Sequence, residues 1–171
     1  GRGGLSIRQL FVASLRMRPD RVIVGEVRRG EALDMVQSMI SGHSGSMTTV
    51  HASTPQDAMV RLETLSLMSD VELPVYVARA QVASAIHVIV QLTRYAEDGS
   101  RKVSRITEAC GLNADSRYEF RDLFVTRLSG RTETGDLIAA LEPTGVKPAF
   151  AAEAREHGLE GRISASAALW D

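Results

Sequence analysis

Two residues of the chain stand where chemistry on a phosphate could be done. Glu26 directly follows the apolar run Val22-Ile23-Val24-Gly25, and His51 closes a second β-prone run, Ser46-Met47-Thr48-Thr49-Val50. A carboxylate at the carboxyl end of a strand can orient and deprotonate an attacking water, or approach Mg2+ near phosphates through a water. An imidazole at the same edge can donate a hydrogen bond to a phosphate oxygen or respond to its presence. Arg16, Arg18, Arg21, Arg28 and Arg29 flank the first run, and guanidinium groups clamp phosphate oxygens bidentately. Each feature also has a plainer reading. The acid fits a solvated carboxylate past a strand end, the histidine fits packing at a strand end, and the arginines fit surface charge near helix ends. His43, in a glycine turn, carries the same two readings, and His87 and His157 have no obvious partner. The four histidines lack metal-ligand spacing, so no residue reads as a direct metal ligand.

The elements that must position these residues can be read from periodicity. Ile7, Leu10, Phe11 and Leu15 recur at helical spacing, with Ser6 as a cap and Pro19 as the stop. The run from Arg21 to Glu26 is short, apolar and bounded by turn residues, which predicts a strand buried on both faces, as in a parallel sheet. A helix is predicted over Glu31 to Ser41, with Leu33, Val36 and Ile40 on one face. The turn Ser41-Gly42-His43-Ser44-Gly45 ends it. Thr54-Pro55-Gln56-Asp57 supplies a cap, a first-turn proline and a first-turn acid for the next helix, which turns Ala58, Leu62 and Leu65 inward. Pro74 opens a further helix through about Ala85. Met35, Met39, Met47, Met59 and Met68 read as core filling.

The order helix, strand, helix, strand, helix predicts an α/β sheet. If the two runs are neighbours in a parallel sheet, Glu26 and His51 share one edge, where open α/β sheets bind ligands. The pattern then changes. His87 to Arg94 and Lys102 to Ala109 are β-prone around the turn signal Glu97-Asp98-Gly99, and Tyr118 to Arg127 reads as a third strand of this meander. Beyond Ser129 the chain is rich in Gly, Thr and Ala, with a short helix predicted over Ala149 to His157 and a mobile tail from Gly158.

Composition narrows the function classes. The 171 residues are 44% hydrophobic and 24% charged, which fits a packed core rather than disorder. The 20 basic and 21 acidic residues nearly cancel, and aromatic residues for base stacking are few, so a nucleic-acid partner is not expected. The single Cys110 excludes a disulfide framework and a Cys-rich zinc site. No apolar run of about eighteen residues exists to span a membrane. Lys102 and Lys147 are the only lysines and neither follows a glycine, so these residues contain no P-loop. The chain begins Gly-Arg-Gly-Gly without Met and is read as a piece of a longer protein.

Taken together, these segments resemble a known family. Leu15-Arg16-Met17-Arg18-Pro19-Asp20-Arg21-Val22-Ile23-Val24-Gly25-Glu26-Val27-Arg28 looks like the Walker B region of the secretion-superfamily ATPases, which power type II secretion, type IV secretion and type IV pilus assembly. Ser41-Gly42-His43-Ser44-Gly45-Ser46-Met47-Thr48-Thr49-Val50-His51-Ala52 looks like their His box. The helix from Asp57 to Leu65 follows in the same order. Arg-Met-Arg-Pro-Asp-Arg and Gly-Glu-Ala-Leu-Asp-Met-Val-Gln look most like the CpaF type, the tight-adherence (Flp) pilus ATPases. The match is ordered over residues 2 to about 92 and weaker to about 150. Arg29 and Ser53 depart from it, standing where a small or acidic residue and an Asn are usual.

The resemblance implies an α/β, RecA-like ATPase core, partial because the P-loop part lies upstream, with a small β-meander and a C-terminal tail. It implies 1–92 as the core part, 93–128 as the meander and 129–171 as a C-terminal segment. It implies ATP with Mg2+, a homohexamer, an inner-membrane pilus or secretion platform protein as partner, and a cytoplasmic seat at the inner membrane. Glu26 matches the catalytic Walker B glutamate, and His51 matches the histidine held to couple phosphate state to movement. Arg28 matches the arginine after that glutamate and, with Gly25 and Arg18, makes up the expected nucleotide- or phosphate-contacting set. A rival expectation is a non-catalytic RecA-like remnant acting as an interaction module.

Overall fold

Ser6 opens the first helix, α1 (Ile7–Leu15), with a reciprocal cap. Its hydroxyl accepts the Gln9 N–H at 3.2 Å, and the Gln9 side chain accepts the Ser6 N–H at 2.9 Å. A computed structural model of the chain describes residues 4–159, 161 and 162. After α1 come β1 (Ile23–Val24), α2 (Glu31–Ile40), β2 (Met47–Thr48), α3 (Pro55–Leu67) and α4 (Val75–Ala85). Strands β1 and β2 pair in parallel, Ile23 with Met47 and Val24 with Thr48. Thr54 caps α3 through the Asp57 N–H at 3.1 Å, with Pro55 at its first position.

The chain divides into two compact units. The first holds residues 1–87 and 111–118, and its core lies where α2, α3 and α4 meet. Leu33, Met35 and Val36 of α2, Met59, Leu62 and Leu65 of α3, and Ala78 and Val82 of α4 are buried there. Gly30 is required by this packing. A Cβ on it would lie 2.6 Å from the Ser69 Cα and 2.9 Å from the Met68 carbonyl oxygen. A buried polar group sits in the same unit. The Glu63 carboxylate receives Nε and Nη2 of Arg79, each at 3.0 Å, and the Tyr118 hydroxyl at 3.1 Å. Burial, then the neighbouring Glu63 charge, pushes the Tyr118 phenol well above its ordinary value.

The second unit holds residues 88–110 and 119–171. It is built on a four-stranded antiparallel meander in the order β3 (Val88–Arg94), β4 (Arg101–Leu112), β5 (Tyr118–Arg131) and β6 (Leu137–Pro143). The turn signal at Glu97-Asp98-Gly99 does join β3 to β4, with Gly99 at φ 72° and the Asp98 carboxylate accepting the Ser100 and Leu137 N–H groups at 2.9 Å each. A short helix, α5 (Ala151–Glu156), follows. Buried Glu108 of β4 holds the chain just before it by accepting the Ala149 and Phe150 N–H groups.

Several sequence expectations need correction. The first β-run is not buried on both faces, because Ile23 is 70% exposed. Strand β1 has a neighbour on one edge only among the described residues, and its other side lines an open groove of about 470 Å³ against Ile7, Leu10 and Phe11 of α1. For the same reason only Phe11 of the α1 stripe is buried. Ile40, at the last turn of α2, is exposed, as are Met47 and Met68, whereas Met35, Met39 and Met59 do fill the core. The region beyond Ser129 continues β5 to Arg131 and adds the unpredicted strand β6. The expected tail from Gly158 falls largely outside the described residues.

Candidate functional site

Parallel pairing of β1 and β2 carries two loops off the same strand ends. The Met47 N–H bonds the Val22 carbonyl at 3.0 Å, and past the strands the Val27 N–H bonds the Thr49 carbonyl at 3.2 Å. Thr49 adds a side-chain tie, its hydroxyl donating to the Gly25 carbonyl at 2.5 Å. Glu26 and His51 therefore leave the sheet side by side. The His51 Nε2 lies 3.1 Å from Glu26 Oε1. Arg28, two residues beyond Glu26, places Nε at 2.7 Å and Nη2 at 2.6 Å from the other oxygen, Oε2.

The three side chains differ in exposure. Glu26 is 23% exposed, against 72% for Arg28 and 90% for His51. The carboxylate is seated on the strand end, and the Arg28 guanidinium and the His51 imidazole reach it from solvent. The Arg28 hydrogen bond, above all, holds the Glu26 carboxyl below its ordinary value. Desolvation opposes this, and the Arg28 and His51 charges add to it. The Arg28 guanidinium is correspondingly raised by its bond to Glu26.

The residues singled out from sequence thus divide. Glu26, His51 and Arg28 form one cluster, while the Gly25 carbonyl accepts the Thr49 hydroxyl beside it and bonds to none of the three side chains. Arg18 is exposed in the turn after α1, at φ 50°, and is not part of the cluster. Arg21 lies instead against the glycine turn, with its Nε 3.1 Å from where a Cβ on Gly45 would sit; φ there is 77°. The His43 carbonyl accepts the Ser46 hydroxyl at 2.7 Å, and that hydroxyl in turn receives the Val22 N–H at 2.9 Å. Two residues of the site were not singled out from sequence. Thr49 reads from sequence as one of two threonines in a β-prone run and as part of the stretch resembling the His box, with no role of its own. Glu31 reads from sequence as the start of a helix and as part of the Gly-Glu-Ala-Leu-Asp-Met-Val-Gln stretch, with no role in the site, yet its Oε1 accepts the Arg28 N–H at 2.9 Å and the Arg29 N–H at 3.1 Å.

A carboxylate flanked by an exposed imidazole and an exposed guanidinium suits a ligand with anionic oxygens and a water to be activated beside them. Among the described residues no group of three His, Cys, Asp or Glu side chains is placed to hold a metal ion.

The family described as type II/IV secretion system protein matches residues 1–166 of the chain. The chain is 36% identical over 106 residues to a putative conjugal transfer protein of Mycobacterium tuberculosis, covering 62% of this chain and 29% of that protein. It is 41% identical over 101 residues to the type IV secretion system protein PtlH of Bordetella pertussis, covering 57% of this chain and 30% of that protein. Among solved structures it is similar to the VirB11 ATPase of the Brucella suis type IV secretion system, solved in complex with sulphate. The TM-score is 0.54 at 31% identity, over 58% of this chain and 32% of that one. The chain therefore spans under a third of the length of these relatives.

Proposed function

The chain belongs to the type II/IV secretion system protein family, and from that premise we propose that it supplies the hydrolytic carboxylate of a longer, ATP-hydrolysing motor. The single observation that carries this reading is the Glu26 cluster, a carboxylate at the carboxyl end of a parallel strand with His51 at 3.1 Å and Arg28 at 2.6 Å. Hydrolysis of a γ-phosphate needs a base that aligns water in line with the phosphorus, and charges that follow the departing phosphate.

In this reading Glu26 orients the attacking water through its less encumbered oxygen, Oε1, and accepts a proton from it. Arg28 exchanges its bond to Glu26 for one to a phosphate oxygen. That exchange also returns base strength to the carboxylate, since the Arg28 bond is the main cause of its lowered value. His51 stands between the carboxylate and solvent, where it can report an arriving phosphate to the loop that carries it. Mg2+, when bound, offsets phosphate charge, and Glu26 would meet it only through a water. Gly25 and Arg18 join as further nucleotide contacts, Arg18 from the turn at the end of α1. The residues described here contain no Gly-Lys-Ser/Thr, so the phosphate cradle comes from elsewhere in the assembled protein.

The finer assignment is a CpaF-type ATPase of tight-adherence pilus assembly, working as a homohexamer on the cytoplasmic side of the inner membrane beneath a platform protein, with 1–92 as its core part. Arg16 to Arg21 and Gly30 to Gln37 support it by their residue order. The relatives' names favour a second reading, conjugal transfer or type IV secretion. Deleting the gene separates them. Loss of surface pili with conjugation and secretion intact supports the first, and the reverse supports the second. Purified full-length protein with no ATP turnover at all would leave the non-catalytic interaction module.

A further inference from the structure

We propose that Glu31 is a positioning residue for this site: by accepting two backbone N–H groups it fixes the turn that aims the Arg28 guanidinium at Glu26. The proposal rests on the reading of Glu26 as the hydrolytic carboxylate. Residues 27–30 join the strand end to α2, and both ends of this turn are anchored. Val27 is buried and bonded to Thr49, and Gly30 is pressed against the backbone at Met68 and Ser69. Between the anchors lie Arg28 and Arg29, both exposed. Gly30 stands at the cap position of α2 and offers no side chain to the donors there. Glu31 reaches back from the first helical position instead, and its Oε1 takes both N–H groups, at 2.9 and 3.1 Å. Desolvation of the Glu31 carboxyl opposes its ionisation. The three backbone N–H groups and the Arg29 charge outweigh that effect, so it stays charged below its ordinary value.

The consequence falls on Arg28. Its side chain is 72% exposed, and a guanidinium held only from solvent has many alternative rotamers. What keeps Nε and Nη2 together on Glu26 Oε2 is the backbone direction at residue 28, which the Glu31 bonds set. Glu31 thus decides how readily Arg28 covers Glu26 and in which direction it moves off.

The test is nuclear magnetic resonance on the 171-residue chain, read at the Arg28 Nε–Hε cross-peak. In the native chain the bond to Glu26 should give a downfield-shifted, slowly exchanging signal. Glu31→Asp keeps the acid in the first turn of α2, and so its helix-dipole contribution, but is one methylene too short to reach both donors. It should abolish the protected signal. Glu31→Gln keeps an acceptor oxygen in place and should retain it. Backbone signals of Ala32 and Leu33 report whether α2 has stayed folded. A protected signal that persists in Glu31→Asp overturns the proposal. So does its equal loss in Glu31→Gln, which would make charge rather than the two bonds the cause. Full ATP turnover by the full-length Glu26→Gln protein would remove the hydrolytic reading while leaving the cross-peak result standing, so the two failures are distinguishable.

Discussion

Glu26 binds its partners through both oxygens, and that fixes what pH and mutation should do to it. Its folded value is lowered, first by the Arg28 hydrogen bond. A carboxyl whose value falls on folding stabilises the fold above its ordinary value, and that contribution disappears as pH drops through the lowered one. Arg28→Ala should therefore move the Glu26 titration upward, toward the ordinary value of 4.5, as read by carboxyl carbon shifts. An unmoved midpoint would mean that the ion pair does not hold in solution. Residue types and order were enough to single out Glu26, His51 and Arg28. Glu31 could not be found that way, because its role depends on the path of the backbone between residues 27 and 31. The stretch Gly30 to Gln37 stood out as a match in residue order, but a glutamate at the start of a helix is too ordinary to suggest a role in the site.

Among the elements, the helices were the most legible, because their signals are local. The Ser6 cap and the Thr54-Pro55-Asp57 start both appear as predicted. Burial was less legible, because periodicity shows which residues are apolar and not what covers them. Ile23 and Leu10 face an open groove. Strand β6 was missed because Ala139 and Ala140 give little β signal; its register comes from the turn at Thr132 to Asp136 and pairing with β5. Packing between elements yields firm expectations. Gly30→Ala forces a Cβ into the backbone at Ser69 and should cost about 1–3 kcal/mol, the usual range for overpacking, visible as a lower urea midpoint. Tyr118→Phe removes a buried hydroxyl from the Glu63 carboxylate and should cost about 1.5 kcal/mol by the same measurement. In the second unit, bonds from Ser100 and Leu137 hold the Asp98 carboxyl at about 2, against an ordinary 3.8. The support this turn gives the β3–β4 hairpin should thus survive down to the ordinary value and fade as pH falls toward about 2. Amide exchange at Ser100 and Leu137 would report it, and protection that is flat across that window would contradict it.

At the scale of the whole molecule, the chain spans 29% and 30% of the two curated relatives, so the activity proposed belongs to a longer protein. No helix among the described residues is long and apolar enough to cross a membrane. The 171 residues alone should not turn over ATP, since they hold the carboxylate but no Gly-Lys-Ser/Thr. Turnover by the purified chain that is lost in Glu26→Gln would refute that expectation. The central claim is that Glu26 acts as the base, and the most direct test compares ATP turnover with nucleotide binding and assembly in the full-length Glu26→Gln protein. A glutamine keeps the shape but cannot take the proton, so turnover should fall roughly a hundredfold or more while binding and oligomer size persist. Near-normal turnover would contradict the claim, and loss of binding and assembly together would make Glu26 a structural residue instead.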